Sequence, residues 1–147
     1  MKATDIQIGD WLQNTNGNIG KVQAIYRYHN PGDKEFGYEI VMQYNPNGTC
    51  YTDLSLLKPI PLTAEILEKN GFSYCTRDGG YYLFATMSCG FDVEVILFDV
   101  VNKYASIQLH IGDTNDTATY LHLMQCDCVH ELQHALRLCG IEKEIVI

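Results

Sequence analysis

The stretch Lys58-Pro59-Ile60-Pro61-Leu62-Thr63 constrains this chain more than any other. Each proline fixes its own φ at about −65°, pushes the residue before it toward an extended conformation, and donates no backbone hydrogen bond. Two prolines one residue apart exclude both a helix and a central strand, so the chain must run extended here. Thr63 follows, and its hydroxyl is suited to accept a hydrogen bond from the first turn of a helix. The junction divides the 147 residues into an N-terminal segment, 1–60, and a C-terminal segment, 61–147.

The N-terminal segment reads as short strands between turn signals. Ile6, Ile8 and Trp11-Leu12 flank Gly9-Asp10, Asn16-Gly17-Asn18 makes a turn, and Val22, Ala24 and Tyr26 alternate with polar neighbours. His29-Asn30-Pro31-Gly32-Asp33 is a loop, and a strand from Tyr38 to Tyr44 ends at the hairpin signal Asn45-Pro46-Asn47-Gly48. Short strands at this spacing predict a small β-barrel-like, SH3-like subdomain over 1–60, with Trp11 as the anchor of its core. A segment of this size is near the lower limit for a self-sufficient core and is expected to lean on the rest.

The C-terminal segment opens with a short helix from Ala64 to about Asn70, with Ile66 and Leu67 inward, stopped by Gly71 with Phe72 folding back. From Phe72 to Cys126 the period is two, with Arg77-Asp78-Gly79-Gly80 as a hairpin turn and strands at Ser73–Thr76, Tyr81–Met87, Phe91–Val101 and Tyr104–Ile111. Asp92, Glu94 and Asp99 read as the wet face and end of one strand. Folding at 112–118 sets Leu109 opposite Leu121 and Ile107 opposite Leu123, with Gln108, His110, Tyr120 and His122 on the other face. A second helix from about Asp127 to Cys139 ends at Gly140 and Ile141, as the first ends at Gly71 and Phe72. The predicted class is α+β: a small barrel over 1–60, then over 61–147 an antiparallel meander with two helices on one face.

Composition narrows the function classes. No apolar run approaches the roughly 20 residues that span a bilayer, and the opening Met1-Lys2-Ala3-Thr4-Asp5 has no signal-peptide core, so a cytoplasmic protein is expected. In a reducing compartment Cys50, Cys75, Cys89, Cys126, Cys128 and Cys139 are free thiols, and no Cys-x-x-Cys pair supports a zinc ribbon or a redox motif. The net charge of −8 is uneven: residues 1–60 hold five Lys/Arg against six Asp/Glu, and residues 61–147 five against twelve. Such an acidic half repels phosphates, so nucleic-acid binding is not expected there.

His130-Glu131-Leu132-Gln133-His134 matches the pattern of zinc peptidases, in which two imidazoles one helical turn apart hold Zn²⁺ and the glutamate polarises its bound water. At about 100° per residue, Val129, Leu132, Ala135, Leu136 and Cys139 share one side, which sends His130 and His134 toward solvent or a cleft. A catalytic zinc needs a third protein ligand. Arg137 stands where the longer motif has glycine, and Cys126 to His134 spans about 12 Å on a straight helix, too far for one ion. Glu142 and Glu144 serve only if the residues after the helix turn straight back, and His122 only if its strand face meets the helix. The pattern is thus read as the polar face of a helix, and no residue is assigned a catalytic, cofactor-binding or metal role.

Other candidates also have plain readings. The patch His122, Cys126, Cys128, His130 and His134 is dense, but alternation makes Cys128 a core thiol. Tyr26-Arg27-Tyr28-His29 suits base stacking in a small nucleic-acid-binding barrel, yet alternating aromatics on a strand are usually cross-strand packing.

The segments Ile8-Gly9-Asp10-Trp11, Leu57-Lys58-Pro59-Ile60-Pro61-Leu62-Thr63, Leu67-Glu68-Lys69-Asn70-Gly71-Phe72 and Val129-His130-Glu131-Leu132-Gln133 occur in an order that resembles a family of small uncharacterised proteins from gut bacteria, their prophages and other mobile elements. The resemblance spans most of the chain, and its motifs are structural. It implies no activity, and it implies that His134 is an incidental variation at a position where asparagine is common.

These readings favour a non-enzymatic binding or interaction protein with a protein partner, in the service of a phage or mobile element. The alternatives are a zinc-dependent hydrolase using His130, Glu131 and His134, and nucleic-acid binding by the N-terminal barrel.

Overall fold

Alternation in the first sixty residues builds a five-stranded antiparallel sheet. A computed structural model describes residues 1–32, 34, 36–44, 48–89, 92–98, 106–111 and 119–147. The chain is α+β, mostly antiparallel sheet with few helices, and divides into two compact units, Met1–Ile60 and Pro61–Ile147.

In the first unit, β1 (Trp11–Asn14), β2 (Ile19–Tyr28), β3 (Gly37–Tyr44), β4 (Gly48–Asp53) and β5 (Leu57–Pro59) pair in the order β4-β3-β2-β1-β5. Among the described residues β4 and β5 remain edges, so the sheet does not close into a barrel. Ile6, Leu12, Val22, Ile40, Met42 and Leu57 form its core. Trp11 is not among them, contrary to the sequence expectation. Alternation along β1 turns Leu12 inward, which leaves Trp11 half-buried with the Lys21 ammonium 5.7 Å from its ring centre. The Asn16-Gly17-Asn18 turn forms because the Asn14 side-chain oxygen accepts from the N–H of Asn16 and Asn18 and Gly17 takes φ +86°. The Asn45-Pro46-Asn47 stretch of the next hairpin lies outside the described residues. The Asp10 carboxylate is fully buried and accepts the Gln7 N–H at 2.7 Å, closing the entry to β1.

Each end of the β2–β3 pair sets a tyrosine over a glycine. A Cβ at Gly20 would meet Tyr44 ring carbons at 2.8 Å and the Gln43 carbonyl oxygen at 3.0 Å, and one at Gly37 would enter the Tyr28 ring. The bare backbone lets each ring lie flat across the neighbouring strand. Gly20→Ala is therefore expected to destabilise the protein by about 1–3 kcal/mol, read as a lower urea midpoint at unchanged slope.

In the second unit, β6 (Ser73–Cys75), β7 (Gly80–Thr86), β8 (Asp92–Phe98), β9 (Ser106–Ile111) and β10 (Thr119–Gln125) form a meander in the order β10-β9-β8-β7-β6. Helix α1 (Ala64–Lys69) starts where the Thr63 hydroxyl accepts the Ile66 N–H at 3.3 Å. Helix α2 (Val129–Leu138) ends as α1 does. Gly71 and Gly140 take φ of +81° and +67°, and the residue after each donates to a carbonyl five positions back, Phe72 to Leu67 and Ile141 to Leu136. Leu109 pairs with Leu121 as the alternation predicts. Ile107 pairs with Met124 rather than Leu123, because a bulge between His122 and Met124 adds one residue to β10. Among the described residues no helix is long and apolar enough to cross a membrane.

Two connections bring distant segments of this unit together. The Leu62 N–H donates to the Asp127 carbonyl at 3.1 Å, beside a bridge between Pro61 and Cys128. The Asn70 amide, 5% exposed, donates to the carbonyls of Ile66 and Val146 at 2.7 and 2.8 Å and accepts the Val146 N–H at 2.8 Å. Asn70→Ala would orphan both backbone groups of Val146 together. A loss of about 2 kcal/mol is expected in urea unfolding, and a loss below about 0.5 kcal/mol would show that this clamp contributes little.

Candidate functional site

The His-Glu-Leu-Gln-His run occupies the first turns of α2, and its glutamate is engaged at the helix start. Cys128 is the N-cap and Glu131 the third helical residue, and the two side chains serve each other's backbones. The Glu131 carboxylate accepts the N–H of Asp127 at 2.8 Å and of Cys128 at 3.3 Å. This reciprocal arrangement satisfies amides that no helical carbonyl reaches, and it sets a negative charge at the positive end of the helix.

The histidines do not form the expected solvated face. His130 is 4% exposed and Gln133 equally buried, while His134 is half-buried with its ring 5.8 Å from that of His130 and almost perpendicular to it. The helical wheel assumes one packed stripe. Here α2 buries the side bearing His130 and Gln133 as well as the side bearing Val129, Leu132, Ala135 and Leu136, and exposes only Arg137 and Leu138.

Among the described residues, one group of three has ligand-type atoms within 4.8 Å of one another: Cys128, His130 and Glu131. It includes a neighbour from before the helix and leaves out His134, so the two zinc-motif histidines and the third member do not form the expected set. A metal there would have to draw Glu131 off the amides it caps and ionise Cys128. Burial, followed by its hydrogen bond with Glu131, pushes the Cys128 thiol far above the ordinary thiol range. The Cys128 sulfur lies 3.3 Å from His130 Nδ1, but a nucleophilic thiol needs surroundings that favour the thiolate, and these do the opposite. What the cluster performs is capping.

Cys126 is fully buried at the end of β10 rather than on the helix, and its thiol is likewise raised, first by burial and then by the Glu131 charge. His122 lies outside the residues whose side chains are described. In the Tyr26-Arg27-Tyr28-His29 run, the Arg27 guanidinium stacks 3.5 Å from the centre of the Phe36 ring, which His29 also flanks.

A different place in the second unit went unnoticed in the sequence. β7 pairs with β8 along its whole length but with β6 only through Gly80–Tyr82. Among the described residues no strand pairs with Leu83–Ala85 on that side. Between this edge and residues 140–143 lies an open groove of about 450 Å³, pinned at one end where the Ser88 N–H donates to the Gly140 carbonyl at 2.7 Å. Phe84, on the edge, is 81% exposed. Alternation did carry a signal for it: Leu83 turns inward, so a large aromatic at 84 falls on the wet side of the sheet. Compared with models of known protein families and with curated proteins, the chain matches none.

The raised thiols fix a pH dependence. The unfolded chain ionises Cys126 and Cys128 near the ordinary value of 9.0, while the folded chain keeps them protonated. Their contribution is complete below that pH and is lost as pH rises above it, by up to about 1.4 kcal/mol per pH unit for each thiol. Urea midpoints should fall steeply from about pH 9 upward, and less steeply in Cys126→Ala. A midpoint flat through that range would refute the assignment.

Proposed function

We propose that this chain is a non-enzymatic protein-binding module whose second unit takes an extended segment of a partner polypeptide along the open edge of β7. The observation that carries the reading is Phe84, 81% exposed on a strand edge that borders a groove. Backbone N–H and C=O groups at an unpaired edge are met well by another extended backbone, and an exposed aromatic adds apolar contact. Glu142 and Lys143 on the opposite wall offer both signs of charge to the rim of such a complex.

The same reading gives the first unit a partly open SH3-like architecture. Support comes from β1 lying between β2 and β5 and from the 3-10 turn Leu54–Leu56 that links β4 to β5. A phage- or mobile-element-associated role in the cytoplasm fits the family resemblance and six cysteines that are all free. The zinc-hydrolase reading of His130, Glu131 and His134 ranks below it, because the carboxylate required as base is held by backbone amides. Nucleic-acid binding by the first unit ranks below it too, since Glu39 and Asp53 stand among the tyrosines of that sheet.

A photo-crosslinking phenylalanine analogue at position 84, expressed in the native host, tests the proposal. A discrete adduct of defined mass is expected from position 84 and not from the exposed Glu65 on α1. Adducts from both positions alike, crosslinks only between copies of the chain, or none at all would count against it.

A further inference from the structure

We infer that the outward face of β2, β3 and β4 is a binding site for arginine side chains of a basic polypeptide. This inference concerns the first unit and stands independently of the β7 edge. Directly opposed residues of antiparallel strands share a face. The ladder sets Tyr26 opposite Glu39 and Glu39 opposite Asp53, with Ala24, Val41 and Tyr51 in the next row and Tyr28 and Gly37 in the row on the other side. Ile40 and Met42, pointing the other way, belong to the core. Two carboxylates therefore lie side by side at the centre of a surface framed by three tyrosines.

The rings are exposed and the framework is fixed. Tyr26 is 52% exposed, Tyr28 39% and Tyr51 64%, whereas Val41 between them is only 9% exposed and forms an apolar floor. Because Gly37 has no side chain, the Tyr28 ring crosses it and its hydroxyl donates to Asp53 Oδ2 at 3.2 Å. Hydrogen bonds from Ser55 and then from Tyr28 hold the Asp53 carboxyl below its ordinary range, so it is charged at neutral pH.

Like charges directly opposed across a strand pair repel. Among the described residues neither carboxylate is in an ion pair. A cation from outside would relieve that repulsion and meet the negative faces of the tyrosine rings. Arginine suits the surface better than lysine: its planar guanidinium stacks on aromatic rings and bridges two acceptors through a fixed fork of donors. A phosphate backbone would meet two carboxylates here and be repelled.

The full chain, titrated at physiological salt with a fluorescein-labelled peptide of alternating glycine and arginine, tests this by fluorescence anisotropy. Glu39→Gln and Tyr51→Ala should each weaken binding at least about fivefold. Removing two charges elsewhere, with Glu65→Gln and Glu68→Gln together, both exposed on α1, should weaken it less than about twofold. Glu39 has only a partly buried side chain and Tyr51 is exposed, so both variants are expected to keep the wild-type urea midpoint, which is measured alongside. No binding by the wild type would overturn the inference. So would equal weakening by the distant pair, unchanged binding in both face variants, or tighter binding of a thymidine oligonucleotide than of the peptide.

Discussion

A single buried amide does for the second unit what a strand pair does elsewhere. Asn70 presents a donor and an acceptor in the geometry of a peptide group, so Val146 pairs with a side chain as it would with a neighbouring strand. The same amide donates to Ile66 and so also holds the last turn of α1. A polar group buried this deeply is tolerable only when its hydrogen bonds are made, and Asn70 makes three. The apolar residues Ile141 and Ile145 remain buried in the segment that this clamp ties down.

Much of the fold was legible where a few adjacent residues suffice to determine it. The Thr63 cap, the two glycine-terminated helix ends and the Asn-Gly turn after β1 follow from bonds spanning five residues or fewer. Leu109 opposite Leu121 was legible from alternation alone. The bulge beyond His122 was not, because one inserted residue leaves no mark in a pattern of period two. Trp11 misled through its size, although the inward turn of Leu12 beside it carried the correct answer.

The candidate site was harder to read because two physical requirements share one spelling. A zinc peptidase needs a glutamate directly after its first histidine, and a helix start favours a glutamate three residues after its cap. With Cys128 as the cap, Glu131 satisfies both patterns at once, and only the bonds to Asp127 and Cys128 separate them. The burial of His130 was equally out of reach, since a helix packed on two sides has the same wheel as one packed on a single side.

The bond from Leu62 to Asp127 bears on how the chain is made. A ribosome releases residues in order, and domains tend to fold as units once their sequence has emerged. All strands of the first unit have been synthesised by Pro59, so its sheet can close early. The second unit begins at Pro61, yet that beginning is paired with residues at the start of α2. During that interval Leu83, Val95 and Leu97, buried in the finished unit, have already been made. The newly made second unit is therefore where a chaperone would find apolar chain to hold.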